Sequence, residues 1–314
     1  MYEVLLITLP FFAIIFLGTF FHFKKIFDNN SSKILTRYAL FITLPPFMFV
    51  NIIKSSDDVI FNFDFIIRFE AITIFLLCLT FVISIFLIKN NKSNSALFAL
   101  NCSYPNYGYM GIPLCILAFG EIAAVPISLI LLIDSIVLLT FTGFFVDYDT
   151  GKSIFSKIYQ LFLNLFKNPI LLAALIGFIF VIFKIKIPLM IFSFLEIIAL
   201  AATPTALFAI GINLYNKIDN KALNNILTIS LFKLVIHLIL IFLIFITFPH
   251  NVDPIWIKVA ILSTCLPVAG NVFAMSIFYN NFINQTSGSI LITTIFSTFT
   301  VPLTLYLLLN YFNY

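Results

Sequence analysis

Between residues 101 and 113 the sequence reads NCSYPNYGYMGIP. Two prolines, two glycines, two asparagines and three tyrosines stand here in the middle of an otherwise apolar run, near residues 94–119. Proline lacks a backbone donor and leaves a carbonyl free, so it interrupts a helix. In lipid, such backbone groups are tolerated only where they are buried in protein or line a cavity. The stretch therefore predicts a broken helix inside a membrane, facing other parts of the protein.

The composition of the whole chain agrees with a membrane setting. Of 314 residues, 62% are hydrophobic and 10% are charged, and the mean hydropathy is +1.13. A soluble domain is about half apolar and a quarter charged, so a water-soluble globular protein, a disordered chain and a nucleic-acid-binding module are excluded. The four cysteines form no C-x-x-C pair, and no disulfide framework or zinc site is indicated. We predict an all-α polytopic membrane protein with no cofactor and no nucleic-acid partner.

Ten apolar runs are long enough to cross a bilayer, since a helix needs about 20 mostly apolar residues to span it. The first run is not a cleavable signal, because no basic segment precedes it and no small-residue cleavage site follows it. The runs lie near residues 3–22, 34–52, 65–88, 94–119, 123–146, 169–187, 189–214, 222–248, 255–279 and 286–310.

The distribution of Lys and Arg predicts the orientation, because cytoplasmic loops are enriched in both. Of 17 such residues, 11 fall in loops that are cytoplasmic if the N-terminus is outside, 5 fall on the outer side and Lys233 lies within a span. We therefore expect a multi-pass protein of the cell membrane with both termini outside.

The ten spans divide into two similar halves. Polar residues three or four apart predict an amphipathic helix on the cytoplasmic face at 147–168, which separates a first five-helix repeat (1–146) from a second (169–314). LPPFMF at 44–49 parallels TPTALF at 203–208, and CSYP at 102–105 parallels TCLP at 264–267. Two repeats with an odd number of spans in series have opposite topology, the inverted-repeat plan of many secondary transporters.

A second interrupted run matches the first in depth. Span 9 reads STCLPVAGN at 263–271, and its proline stands 13 residues from the outer end, as Pro105 stands 11 from the inner end of span 4. At about 1.5 Å per residue both prolines lie near the bilayer midplane. We expect helices 4 and 9 to be broken and to cross there. The structural alternative is that these residues only kink and pack helices.

This crossing is the predicted substrate site. Interrupted helices expose amides that attract anions, and asparagine amides can hydrogen-bond a carboxylate without a buried charge. The predicted substrate-binding residues are Pro105, Asn106, Gly108, Gly111, Pro267, Gly270 and Asn271.

The run Pro105-Asn106-x-Gly108-x-x-Gly111-x-Pro113 resembles the fourth-span motif of the auxin efflux carrier family. TPxALxAxG at 203–211 is similar to the seventh span of that family, PxxxN at 267–271 to its ninth, and Asn168-Pro169 fits the start of its sixth. The resemblance covers nearly the whole chain. The family includes the plant PIN carriers and shorter prokaryotic proteins named malate or malonate permeases.

The resemblance implies a scaffold domain (helices 1, 2, 6 and 7) and a transport domain (helices 3–5 and 8–10), with the site at the crossing of helices 4 and 9. It implies a small organic anion as substrate, such as malate, malonate or an auxin-like acid, and a homodimer through the scaffold. Plant PIN carriers have a long hydrophilic loop between spans 5 and 6, where this chain has some twenty residues. Plant-type auxin specificity therefore does not follow.

Charged residues inside spans are further candidates, because they are costly unless paired or functional. Asp134 is central in span 5, Glu70 lies in span 3, and Lys233 shares a face of span 8 with His237. Asp134, Glu70 and Lys233 are candidates for coupling to a proton or to sodium. Alternatively, Glu70 and Lys233 pair with each other. Glu196 also lies within a span, while His22 and His250 are expected at membrane surfaces.

The predicted function is a secondary active transporter working by alternating access. The alternatives are an ion-coupled symporter of another small solute on the same fold, a channel, and an intramembrane enzyme. The sequence contains no phosphate-binding loop and no H-E-x-x-H motif, so neither a nucleotide-driven pump nor a metalloprotease is indicated.

Overall fold

The computed structural model describes residues 2–55, 62–146, 169–213, 222–248 and 251–310. Within these ranges the chain is helical, and its one extended pairing is a single bridge between Pro105 and Val268. The predicted amphipathic linker at 147–168 and His250 lie outside the described residues.

The first half contains seven α-helices in the described ranges. They are α1 (Tyr2–Phe23), α2 (Asn29–Tyr38), α3 (Leu44–Ser55), α4 (Phe63–Phe86), α5 (Lys92–Ser103), α6 (Ile112–Phe119) and α7 (Ala124–Val146). A π-helical turn, Ala39–Thr43, joins α2 to α3, and a second one, Tyr107–Gly111, precedes α6.

The second half contains eight α-helices in the described ranges. They are α8 (Pro169–Ile182), α9 (Leu189–Leu200), α10 (Ala202–Asn213), α11 (Leu223–Leu231), α12 (His237–Thr247), α13 (Pro254–Thr264), α14 (Gly270–Phe278) and α15 (Ile283–Asn310). A π-helical turn, Phe232–Ile236, joins α11 to α12.

Seven helical segments of the described chain are long and apolar enough to cross a membrane. They fall in the runs predicted as spans 1, 2, 3, 5, 7, 8 and 10. The runs predicted as spans 4, 6 and 9 contain shorter apolar helices, at 107–119, 169–182 and 254–264. The helices in the runs predicted as spans 4 and 9 are short because each run is interrupted.

Helices α1 and α10 cross at close range. Gly18 and Gly211 meet there, and a Cβ atom on Gly211 would lie 1.9 Å from the carbonyl oxygen of Ile15. The hydroxyl of Thr19 donates to the carbonyl of Gly211 at 2.8 Å. Small residues let helix backbones approach in this way, as in many membrane helix pairs.

Helix contacts fall mainly into two groups. In one, α1 packs on α10, α2 packs on α10, and α3 packs on α8 and α9. In the other, α5 packs between α4 and α7, α11 and α14 pack on α15, and α13 packs on α12. The groups meet where α3 and α8 contact α7 and where α1 contacts α15. The two broken segments lie close to this junction.

Candidate functional site

The first break separates α5 from α6. Tyr104 is extended (φ −107°, ψ 97°) because the following proline disfavours the helical region for it. The amide of Tyr104 still bonds to the carbonyl of Leu100 at 3.0 Å, and the helix ends there. Asn106 then begins the π-helical turn and its side chain accepts a long bond, 3.4 Å, from the amide of Tyr109.

The second break separates α13 from α14. The helix ends at Thr264, the chain passes through Pro267, and Ala269 is extended (φ −70°, ψ 145°). The next helix begins at Gly270, where a Cβ atom would find no heavy atom within 4 Å. Open space therefore lies beside the N-terminus of α14.

Backbone hydrogen bonds join the two broken segments. The amide of Asn106 donates to the carbonyl of Pro267 at 2.9 Å, and the amide of Ala269 donates to the carbonyl of Tyr104 at 3.2 Å. The amide of Val268 donates to the hydroxyl of Thr293 on α15 at 3.1 Å. Backbone groups that the prolines remove from their helices are thus satisfied within the protein, as a membrane interior requires.

A small cavity lies at this junction. Among the described residues, its lining contains no charged side chain and includes two asparagines and three tyrosines. The first amides of α14, at Gly270 and Asn271, have no acceptor within their own helix and carry its positive dipole end. The lining residues are Leu40, Tyr104, Pro105, Asn106, Tyr107, Gly108, Tyr109, Leu131, Ile170, Ala269, Gly270 and Asn271.

Five of the seven predicted binding residues line this cavity. The other two lie behind its wall: Pro267 accepts the bond from Asn106, and Gly111 packs against Leu266, whose side chain would be 3.0 Å from an added Cβ. The sequence analysis missed the tyrosines as lining groups, although they stand in the deciding stretch. It also missed the apolar residues from other helices, which carry no distinguishing signal; they are Leu40, Leu131 and Ile170.

The predicted coupling residues lie inside the helix bundle. Asp134 and Lys233 are fully buried, and Glu70 is 8% exposed. The expected alternative of a Glu70–Lys233 ion pair is not found among the described residues. Lys233 instead donates to the carbonyl of Thr264 at 2.8 Å, at the end of α13, and Glu70 faces Asp134.

Glu196 belongs to a surface ion pair. Its carboxylate lies 2.8 Å from the ammonium group of Lys54, which is also 3.7 Å from Glu121. All three side chains are more than a third exposed. Glu196 is therefore paired in this structure.

Comparison with known proteins identifies a family. Residues 4–305 match the family model described as membrane transport protein. The chain is 30% identical to a protein of Rhizobium meliloti named "Putative malonate transporter", over 98% of this chain and 97% of that one. It is 25% identical to an uncharacterized transporter of Methanocaldococcus jannaschii (92% and 94% of the two chains) and 23% identical to one of Escherichia coli (95% of each).

Proposed function

Because the chain belongs to the membrane transport protein family, in line with its resemblance to the auxin efflux carriers, we propose that it is a secondary carrier of a small carboxylate. The substrate binds in the cavity between the two broken helices and crosses the membrane by alternating access. The multi-pass membrane character and the transporter family are the established part. The substrate class, the site and the mechanism are the proposal.

The observation that carries the proposal is the chemistry of the cavity wall. The amides of Asn106 and Asn271, the hydroxyl of Tyr109 and the first amides of α14 can donate hydrogen bonds, and no anion is among the described lining groups. A helix N-terminus favours a negative ligand through its free amides and its dipole. The wall therefore suits a carboxylate held by neutral donors.

The cavity is narrow in this structure and has room for about one water molecule. A small substrate therefore requires the least opening of the two helix groups. The name of the Rhizobium meliloti relative adds a reason to begin with malonate. We propose a short dicarboxylate, malonate or malate, ahead of an indole-type acid.

We further propose that the helices form ten membrane-spanning segments, arranged as two inverted repeats of five. The scaffold would comprise α1–α3 and α8–α10, and the transport domain would comprise α4–α7 and α11–α15. Two features support this division: the helix contacts fall mainly within these groups, and each half of the chain contributes one broken segment to the junction. Movement of one group past the other would expose the cavity to each side in turn.

Uptake by purified protein in liposomes tests the proposal. We expect saturable uptake of labelled malonate that is accelerated by unlabelled malonate inside, which distinguishes a carrier from a channel. Asn106→Ala removes a hydrogen bond to a charged ligand, worth about 1.5–3 kcal/mol, and should lower uptake about tenfold or more. The matched control is Asn310→Ala, at the end of α15, which should transport like the wild type.

Two results would contradict the proposed function. A folded Asn106→Ala variant that transports malonate as well as the wild type would mean that the junction is only a structural kink. A folded wild-type protein that takes up none of the tested carboxylates would contradict the proposed substrate class.

A further inference from the structure

Two carboxyl side chains lie together behind the cavity. Glu70 stands on α4 and Asp134 on α7, in two neighbouring helices of the bundle. They are close enough for their carboxyl groups to interact directly, and at least nine-tenths of each residue is buried. We call these two residues the carboxyl pair.

Among the described residues, three of the four oxygen atoms of the carboxyl pair have no hydrogen-bond donor. Asp134 accepts one bond through Oδ2, from the hydroxyl of Tyr107 at 2.6 Å. Its Oδ1 and both oxygens of Glu70 are buried and lack any hydrogen-bond partner within the described parts of the chain. Two adjacent carboxylates cannot both stay ionised in such a place, because burial and mutual repulsion each disfavour the charge.

The charged and titratable groups around the pair define its charge balance. Lys233 faces Asp134 from the turn between α11 and α12, and its amino group donates a hydrogen bond to the carbonyl of Thr264. His237 follows one turn later and lies 3.4 Å from the hydroxyl of Thr73 on α4. The remaining titratable groups facing the pair or Lys233 are Tyr104, Tyr107, Cys102 and Cys265.

One proton balances this enclosed set. With both carboxyl groups ionised and Lys233 protonated, the set would carry two negative charges and one positive charge. A single proton on the pair makes the set neutral and also provides a donor between the two carboxyl groups. Within the described residues no group of three or more His, Cys, Asp or Glu side chains could hold a metal ion.

We propose that the carboxyl pair is a proton-binding site, shared by Glu70 and Asp134 and linked to the substrate cavity by Tyr107. The inference rests on the proposed function. Tyr107 lines the cavity, directly after Asn106, while its hydroxyl group bonds to Asp134. Any change at the pair therefore acts on a residue of the cavity wall.

The sign of the coupling follows from electrostatics. A carboxylate in the cavity adds negative charge near the pair and favours its protonation, and by reciprocity the bound proton favours the anion. Proton and anion thus bind together and are carried in the same direction, so a proton gradient drives uptake of the substrate.

Infrared spectroscopy tests the proton site without requiring transport. At neutral pH the purified protein should show the C=O stretch of a protonated carboxyl group, shifted in D₂O. The band should be lost in the double variant Glu70→Gln with Asp134→Asn and kept in the control Glu196→Gln. A wild-type protein without the band, or a double variant that keeps it unchanged, would overturn the proposal whatever the protein transports.

Flux in liposomes tests the coupling. The ratio of malonate uptake with acid outside to uptake at symmetric pH should be well above one for the wild type and for Glu196→Gln, after subtraction of protein-free liposomes. For Asp134→Asn and for Glu70→Gln the ratio should fall to about one. A ratio of one in the wild type, with uptake that follows a sodium gradient, would overturn the proposal in favour of sodium.

The two measurements separate the inference from the proposed function. Absence of the infrared band from a wild-type protein that exchanges malonate would rule out the proton site and leave the carrier. A clear infrared band in a protein that transports no carboxylate would support the proton site and rule out the proposed substrate.

Discussion

At the scale of single residues, Tyr107 connects two features that lie in different parts of the bundle. It lines the cavity, and its hydroxyl group is the one donor to Asp134 among the described side chains. The ring itself is fully buried and lies 5.9 Å from the ring of Tyr104 in an edge-on arrangement. The ring and the hydroxyl group therefore have separable effects.

Tyr107→Phe separates them, because it keeps the ring and removes the donor. An unsatisfied buried acceptor costs about 1–3 kcal/mol, so we expect a lower melting temperature in detergent. We also expect the pH-gradient ratio of malonate uptake to decrease toward one, which a purely structural effect would not cause. The control is Tyr38→Phe, an exposed tyrosine of α2, and equal ratios in wild type and Tyr107→Phe would contradict the link.

Sequence reasoning found some of these residues and not their partners. Asn106 and Asn271 were predictable because polar residues beside a proline are conspicuous in an apolar run. The contact of Glu70 with Asp134 was not, since α4 and α7 are apolar on nearly every face and give no pattern that fixes their rotation. For the same reason the alternative pairing of Glu70 with Lys233 was wrong.

At the scale of helices, the crossing of α1 and α10 depends on the absence of a side chain at Gly211. A Cβ atom there would overlap the backbone of Ile15, and backbone can yield only if the helices separate. The crossing joins one helix of each half. It is therefore a fixed contact between the two proposed repeats, within the proposed scaffold.

Gly211→Ala should destabilise the protein by about 1–3 kcal/mol, the usual cost of overpacking. The measurement is the melting temperature of the purified protein. Gly270→Ala is the matched control, because its Cβ atom meets no heavy atom within 4 Å, and its melting temperature should stay near that of the wild type. Equal melting temperatures for the two variants would contradict the packing described for α1 and α10.

The interruptions of the helices were only partly predictable. Pro105 and Pro267 signal their breaks directly, since proline cannot continue the backbone ladder. The π-helical turn at Phe232–Ile236 has no such signal: its five residues, FKLVI, would fit an ordinary helix. Lys233 lies in this turn and bonds to the end of α13, a tertiary contact that no local sequence pattern contains.

At the scale of the whole molecule, many large apolar side chains remain exposed. They include Leu189, Met190 and Leu200 on α9, each more than three-quarters exposed. A soluble protein rarely shows contiguous apolar surface of this kind, whereas a bilayer accommodates it. The apolar runs were predictable from composition alone, because each needs only about 20 hydrophobic residues. The lengths of the helices within these runs were not predictable from composition, because they depend on where each run is broken.

The orientation can be checked by cysteine labelling. The Lys and Arg bias predicts that Lys186 faces outside and Lys24 faces the cytoplasm, and both are exposed. In a background with Cys78 replaced by Ser, a membrane-impermeant maleimide added to intact cells should label Lys186→Cys and spare Lys24→Cys. The reverse labelling would place both termini inside.

The central claim is that the substrate binds between the two broken helices, and equilibrium binding of labelled malonate to purified protein tests it most directly. We expect saturable binding to the wild type and to Asn310→Ala. Affinity should fall about tenfold or more in both Asn106→Ala and Asn271→Ala, since each removes a hydrogen bond to the anion from a different half of the chain. Wild-type affinity in both folded variants would contradict the account and place the substrate elsewhere.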